Sequence, residues 1–110
     1  MLAFPGRAKI FMCKDSIDMR KSFESLSTMV EAIFDEELTS GAYFVFLGRR
    51  KDRMKVLYWD HDGFAIWLKR LEKGSFRLLG IEKTLIDRRE FFMLLEGITP
   101  QKLQKRFKST

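Results

Sequence analysis

YFVFLGRRKDRMKVLYWDHDGFAIWLKRLEKGSF, residues 43–76, sets three apolar, β-prone runs one after another with short polar turns between them. Residues 43–47 are almost continuously apolar, the pattern of a strand buried on both faces. A basic turn at 48–52 follows. Residues 53–59 then alternate, with Met54, Val56 and Tyr58 on one side and Lys55, Leu57 and Trp59 on the other. Asp60-His61-Asp62-Gly63 is a turn signal, because Asp and Gly tolerate positive φ. Residues 64–68 read as a third strand, Lys73-Gly74 as a turn and 76–79 as a short further strand. Connections of this length are too short for parallel crossovers, so the stretch predicts an antiparallel meander.

Upstream, residues 7–13 alternate with Ala8, Ile10 and Met12 on one side and predict a first strand. Asp18 is a suitable N-cap for a helix over residues 19–37, whose stripe is Phe23, Leu26, Val30, Ile33 and Phe34. Its outer face is acidic, and Asp35, Glu36 and Glu37 oppose the dipole at its C-terminal end. Ser40-Gly41 stops it. Downstream, Asp87 with Glu90 three residues on is a capping-box pattern for a second helix. Phe91, Phe92, Leu94 and Leu95 give that helix its apolar face, and Gly97 its stop. Pro100 opens a tail in which Lys102, Lys105, Arg106 and Lys108 stand without an acid. The sequence thus predicts a single α+β domain over residues 1–110, an antiparallel β-meander of four or five strands with both helices packed on one face, and a basic, mobile tail at 100–110.

The 110 residues suffice for one hydrophobic core. A composition 45% hydrophobic and 14% aromatic is that of a folded chain rather than a disordered one. The lone Cys13 excludes an internal disulfide and fits a reducing compartment. No apolar run approaches the roughly 20 residues that span a bilayer, and the first residues lack a basic leader before an apolar core. A cytoplasmic protein without membrane contact is expected.

Most chemistries fail on residue types. One His and one Cys cannot assemble a Cys/His zinc site, and Asp60, His61 and Asp62 have an ordinary turn role. Cys13 has no His partner along the chain and reads as a small buried thiol. Metal-dependent nuclease chemistry needs converging acids, yet Asp52, Asp60, Asp62 and Asp87 all fall at turns or caps. GRRKD lacks the phosphate-loop pattern. No catalytic residue, metal ligand or cofactor is expected.

Charge remains. The net charge is +6, and Arg49, Arg50, Lys51, Arg53, Lys55, Lys69, Arg70, Lys73 and Arg77 lie against Asp52, Asp60, Asp62 and Glu72. A meander gathers such turns along one rim of a sheet, where they can neutralise phosphates. The bland alternative is a solvated turn, with Lys69 and Arg70 guarding a sheet edge. Trp59 and Trp67 can stack on bases, or simply fill the core as strand aromatics usually do.

The ordered set D-M-R-K (18–21), F-V-F-x-G-R-R-x-D-R-x-K-x-L-x-W-D (44–60), G-F (63–64), K-R-L-E-x-G-x-F (69–76) and L-L-E-G-I (94–98) resembles the accessory protein of the insertion-sequence-66 family of bacterial transposable elements. The resemblance covers residues 7–98. It implies a role in transposition beside a separate, larger transposase that carries the cutting and joining chemistry, with no catalytic residue here. Ser22 stands where a Gly is common and Arg88 where Pro often opens the last helix. The family pattern directs attention to Asp18, Arg20, Lys21, Arg49, Arg50, Asp52, Arg53, Lys55, Trp59, Asp60, Lys69, Arg70 and Glu72.

Two roles follow. In one, Arg49, Arg50, Lys51, Arg53, Lys55, Lys69, Arg70 and Lys73 bind DNA. In the other, the acids of the first helix, Glu24, Glu31, Asp35 and Glu36, dock a basic partner such as the element's transposase. The charge asymmetry allows both.

Overall fold

The computed structural model describes residues 8–33, 40–77 and 84–96. In chain order they form β1 (Ile10–Met12), α1 (Phe23–Ile33), β2 (Tyr43–Leu47), β3 (Arg53–Asp60), β4 (Gly63–Arg70), β5 (Leu85–Ile86) and α2 (Arg88–Glu96). The strands make one five-stranded sheet in the order β4-β3-β2-β1-β5. The α+β expectation holds, and the sheet is mostly antiparallel.

β2, β3 and β4 form the meander read from residues 43–76, in unbroken register from Tyr43↔Tyr58 to Leu47↔Met54 and from Asp60↔Gly63 to Arg53↔Arg70. At the hairpin tip the positive φ falls on His61 (φ 56), rather than on the Asp or Gly around it. Gly74 (φ 77) makes the later turn as expected. Asp87 and Glu90 exchange the two hydrogen bonds of a capping box: Glu90 N–H donates to Asp87 Oδ1 at 2.7 Å and Asp87 N–H to Glu90 Oε1 at 3.1 Å.

Several features depart from the sequence reading. β1 pairs parallel with β2, because the interval that holds α1 is long enough for a crossover. The edge beyond β1 is closed antiparallel by β5, which was not foreseen. The expected strand at 76–79 is absent where it can be seen: Phe76 donates its N–H to Lys51 C=O at 2.6 Å and buries its ring, so the chain folds back onto the basic turn. Leu78 and Leu79 lie outside the described residues.

The fourth departure is the largest. The helices do not share a face. Leu26 and Val30 of α1 pack with Cys13, Ile17, Ala42, Phe44, Phe46 and Leu57, whereas Phe91 and Leu94 of α2 pack with Ile10, Met12, Tyr43, Val45, Leu47, Met54, Val56, Phe76 and Ile86. Phe44 and Val45 are neighbours in β2 and belong to different layers. Every residue of β2 is buried, so each face of the central strand needs its own cover.

α1 also begins later than expected, at Phe23 rather than residue 19. The N–H of Leu26 bonds to Ser22 C=O, which makes Ser22 the residue that opens the helix. Residues 18–21 turn instead, with Lys21 N–H on Asp18 C=O. The carbonyl of Met19, which a helix from residue 19 would have used, is taken by the Lys55 ammonium at 2.7 Å. Phe23 and Ile33 are about half exposed, so the buried stripe of α1 is narrower than its sequence suggests. Phe34, the C-terminal part of the expected helix, Gly97 and the tail at 100–110 lie outside the described residues. No described helix is long and apolar enough to cross a membrane.

Candidate nucleic-acid interface

The chain leaves β1 alongside β2 and continues past its end. Cys13 N–H bonds to Val45 C=O, Ile17 N–H bonds to Leu47 C=O, and Ile17 bridges Gly48. This carries residues 18–21, DMRK, to the turn GRRKD at 48–52. Met19 lies against Gly48 so closely that a Cβ there would stand 2.9 Å from Met19 Cγ, which explains the glycine. From β3, Lys55 reaches the same segment and donates to the carbonyls of Met19 and Lys21 at 2.7 and 2.6 Å. Two sequence motifs whose first residues, Asp18 and Gly48, are 30 positions apart are thereby clamped together.

Between them runs a groove of about 460 Å³, lined by Ile17, Asp18, Met19, Arg20, Gly48, Arg49, Arg50, Asp52 and Arg53. Four arginines face two aspartates. Asp18 and Arg20 pair with each other, Arg20 Nη2 donating to Asp18 Oδ2 at 2.7 Å while its Nε contacts both carboxylate oxygens at 3.1 Å. The Arg20 N–H also donates to Asp18 Oδ1 at 2.9 Å. These bonds hold the Asp18 carboxyl well below its ordinary range and raise the Arg20 guanidinium further. Asp18 therefore shapes the groove wall instead of capping α1.

Arg49, Arg50 and Arg53 are exposed, and among the described residues none of them makes a side-chain hydrogen bond or an ion pair. Arg53 also stands directly opposite Arg70 in the β3–β4 ladder. Like charges in that position repel, and an anion between them would relieve the repulsion. Lys51 adopts φ 57 at the tip of the turn, and the turn is braced by Leu71 N–H on Asp52 C=O and Phe76 N–H on Lys51 C=O. Lys73 lies in the segment that makes this brace.

The sequence-derived set is thus partly gathered. Arg49, Arg50, Lys51, Arg53 and Arg70 share one rim, with Lys73 beside it. Lys69 alternates to the α2 face, opposite Met54, and Lys55 is turned inward as the clamp. Trp59 meets Phe64 edge-on at 5.0 Å, and Trp67 packs on the α2-side layer, so both tryptophans have packing roles. Glu24 and Glu31 are exposed on α1, while Asp35 and Glu36 lie outside the described residues. Arg20 is the groove residue that charge counting missed; only its place in the DMRK motif pointed to it. No cluster of metal-ligating side chains occurs among the described residues.

The family described as IS66 Orf2 like protein matches residues 8–105, a span that includes both motifs of the groove. The chain belongs to the IS66 Orf2-like family. It is similar to the Sinorhizobium fredii protein y4jC, 28% identical over 97 residues, which is 86% of this chain and 83% of that protein. It is also similar to y4hO of the same organism, 32% identical over 76 residues, or 69% of this chain and 66% of the relative. No solved structure matches it. Membership associates this IS66 Orf2-like protein with insertion-sequence transposition.

Two expected results follow from the groove's construction. Lys55→Met removes two charge-assisted hydrogen bonds and should destabilise the fold by about 1.5–3 kcal/mol in urea unfolding. Asp18→Asn should lower stability slightly at neutral pH, since exposed pairs are screened. Because the folded carboxyl is depressed, its contribution is present above the ordinary value of 3.8 and fades as pH falls below it. The gap in unfolding midpoint between wild type and Asp18→Asn should therefore close on acidification. A gap that widens would show that the pair does not stabilise the fold.

Proposed function

We propose that this transposition-associated protein is a DNA-binding accessory without catalytic activity, which holds the phosphate backbone along the rim formed by Arg49, Arg50, Lys51, Arg53, Arg70 and Lys73. Cutting and joining belong to the separate transposase. The observation that carries this reading is the convergence of DMRK and GRRKDR on one arginine-lined groove whose Arg49, Arg50 and Arg53 have no intramolecular partner among the described residues. Small-molecule pockets are lined mainly by apolar side chains, and this groove suits an anion instead. Guanidinium groups bind phosphate in forked geometry, and a rim of them fits a repeating polyanion. Contacts to phosphate dominate affinity and release counterions, so binding should fall steeply with salt.

Fluorescence anisotropy with labelled duplex from an element end, and with unrelated duplex, tests this at two salt concentrations. Binding at low salt that weakens as salt rises is expected for both duplexes. Failure to bind either duplex at low salt would sink the reading.

A second reading has its own observation. α1 exposes Glu24 and Glu31 together with half-exposed Phe23 and Ile33, a mixed acidic and apolar surface suited to a basic protein partner such as the transposase. Loss of transposase capture in Glu24→Gln/Glu31→Gln, with DNA binding intact, would support this second surface.

A further inference from the structure

The sheet has two very different edges. One is β5, two residues long; the other is β4, eight residues long and paired on one side only. Folded proteins usually blunt a long edge with charges, proline, a bulge or a covering element. Among the described residues β4 has none of these over residues 63–68, GFAIWL: no charge, no Pro, no strand paired on its outer side, and a register with β3 that is unbroken across all eight pairs. Its two charges, Lys69 and Arg70, stand together at one end.

The direction of its backbone groups is fixed. Leu71 donates to Asp52 C=O at 2.7 Å, so the 52–71 pair is hydrogen-bonded, and alternation makes 54–69, 56–67, 58–65 and 60–63 the bonded pairs of the hairpin. Phe64, Ile66, Leu68 and Arg70 therefore direct N–H and C=O away from β3. Their side chains share the α1 face of the sheet, where Leu68 is 57% exposed and Phe64 and Ile66 are half-buried.

We propose that β4 pairs antiparallel with β4 of a second copy, joining two five-stranded sheets into one across a two-fold axis. The strand is complementary to itself in that orientation. Its hairpin tip carries Asp60 and Asp62 and its far end Lys69 and Arg70, so antiparallel pairing sets the acidic tip of each copy beside the basic end of the other. Parallel pairing would set the basic ends together. The register that uses all four outward residues is centred on Trp67: Phe64 opposite Arg70 of the second copy, and Ile66 opposite its Leu68. The two symmetry-related Ile66–Leu68 pairs are apolar and cover the exposed Leu68. On the α2 face the two Trp67 side chains become neighbours. The axis stands perpendicular to the sheet, so the α1 faces of both copies lie on the same side and their basic rims at opposite ends of the joined sheet.

Sedimentation equilibrium over a dilution series reads the outcome, with twice the chain mass expected at the concentrated end. Ile66→Pro deletes an outward N–H and no β3–β4 bond, and Leu68→Lys puts a charge on an already exposed site; both should give monomers with wild-type circular dichroism. Leu85→Lys, on the opposite edge, should remain dimeric. Where Ile66→Pro does not fold, Leu68→Lys decides. A wild type that stays monomeric throughout overturns the proposal, as does a dimer that survives Leu68→Lys or one abolished by Leu85→Lys alone.

Discussion

Changing Arg49, Arg50 and Arg53 together to Gln should weaken DNA binding by on the order of 10²- to 10³-fold at 0.1 M salt, the largest functional effect expected from this molecule. Each phosphate contact releases counterions, so the triple variant should also flatten the plot of log affinity against log salt by about 2.7 units. Gln keeps a planar hydrogen-bonding head, so the lost term is charge. The loss should be equal for element-end and unrelated duplex, because phosphate contacts carry no sequence information. Stability should hardly change, since the three side chains are exposed and make no side-chain hydrogen bond or ion pair among the described residues. Glu24→Gln/Glu31→Gln serves as the opposite control: acids on α1 only repel DNA, so its affinity should hold or rise slightly. A triple variant with an unchanged salt slope would show that the groove does not touch phosphate.

The meander was legible because residues 43–76 satisfy local rules at every step, with period-two alternation, short turns and basic punctuation all agreeing. α2 was legible for the same reason, since its capping box is local. What the sequence concealed was long-range. Parallel pairing of Ile10↔Tyr43 and the closing of the edge by Leu85–Ile86 depend on residues brought together only by the fold. Lys55 illustrates the limit at the site. In sequence it is one more base in a basic run; in the fold it reaches back 34 and 36 residues to two carbonyls, and no periodicity announces that. The start of α1 was misread for the same reason, since Asp18 has the chemistry of a cap but spends its carboxylate on Arg20. The groove was half legible: charge counting found Arg49, Arg50 and Arg53, the DMRK motif singled out Asp18 and Arg20, and only the fold set the two walls against each other.

The two-sided sheet gives the largest stability effects. The apolar run 43–47 implied burial on both faces, and this conflicts with placing both helices on one face; the fold resolves the conflict in favour of the run. Phe44→Ala should destabilise by about 3–5 kcal/mol, because its ring is fully buried under α1 and stacks on Phe11 at 5.5 Å. Leu47→Ala, three residues on but in the α2-side layer, should destabilise by about 2–5 kcal/mol. Each is a large share of the roughly 5–15 kcal/mol that a domain of this kind holds in reserve. A sheet covered on one face only would leave one of these side chains in solvent, where truncation changes stability by no more than about 0.5 kcal/mol. Urea unfolding of the two single variants separates the architectures directly. Two large losses require a covering layer on each side of β2, and one loss beside one near-neutral result would mean that α1 or α2 does not pack where the structure places it.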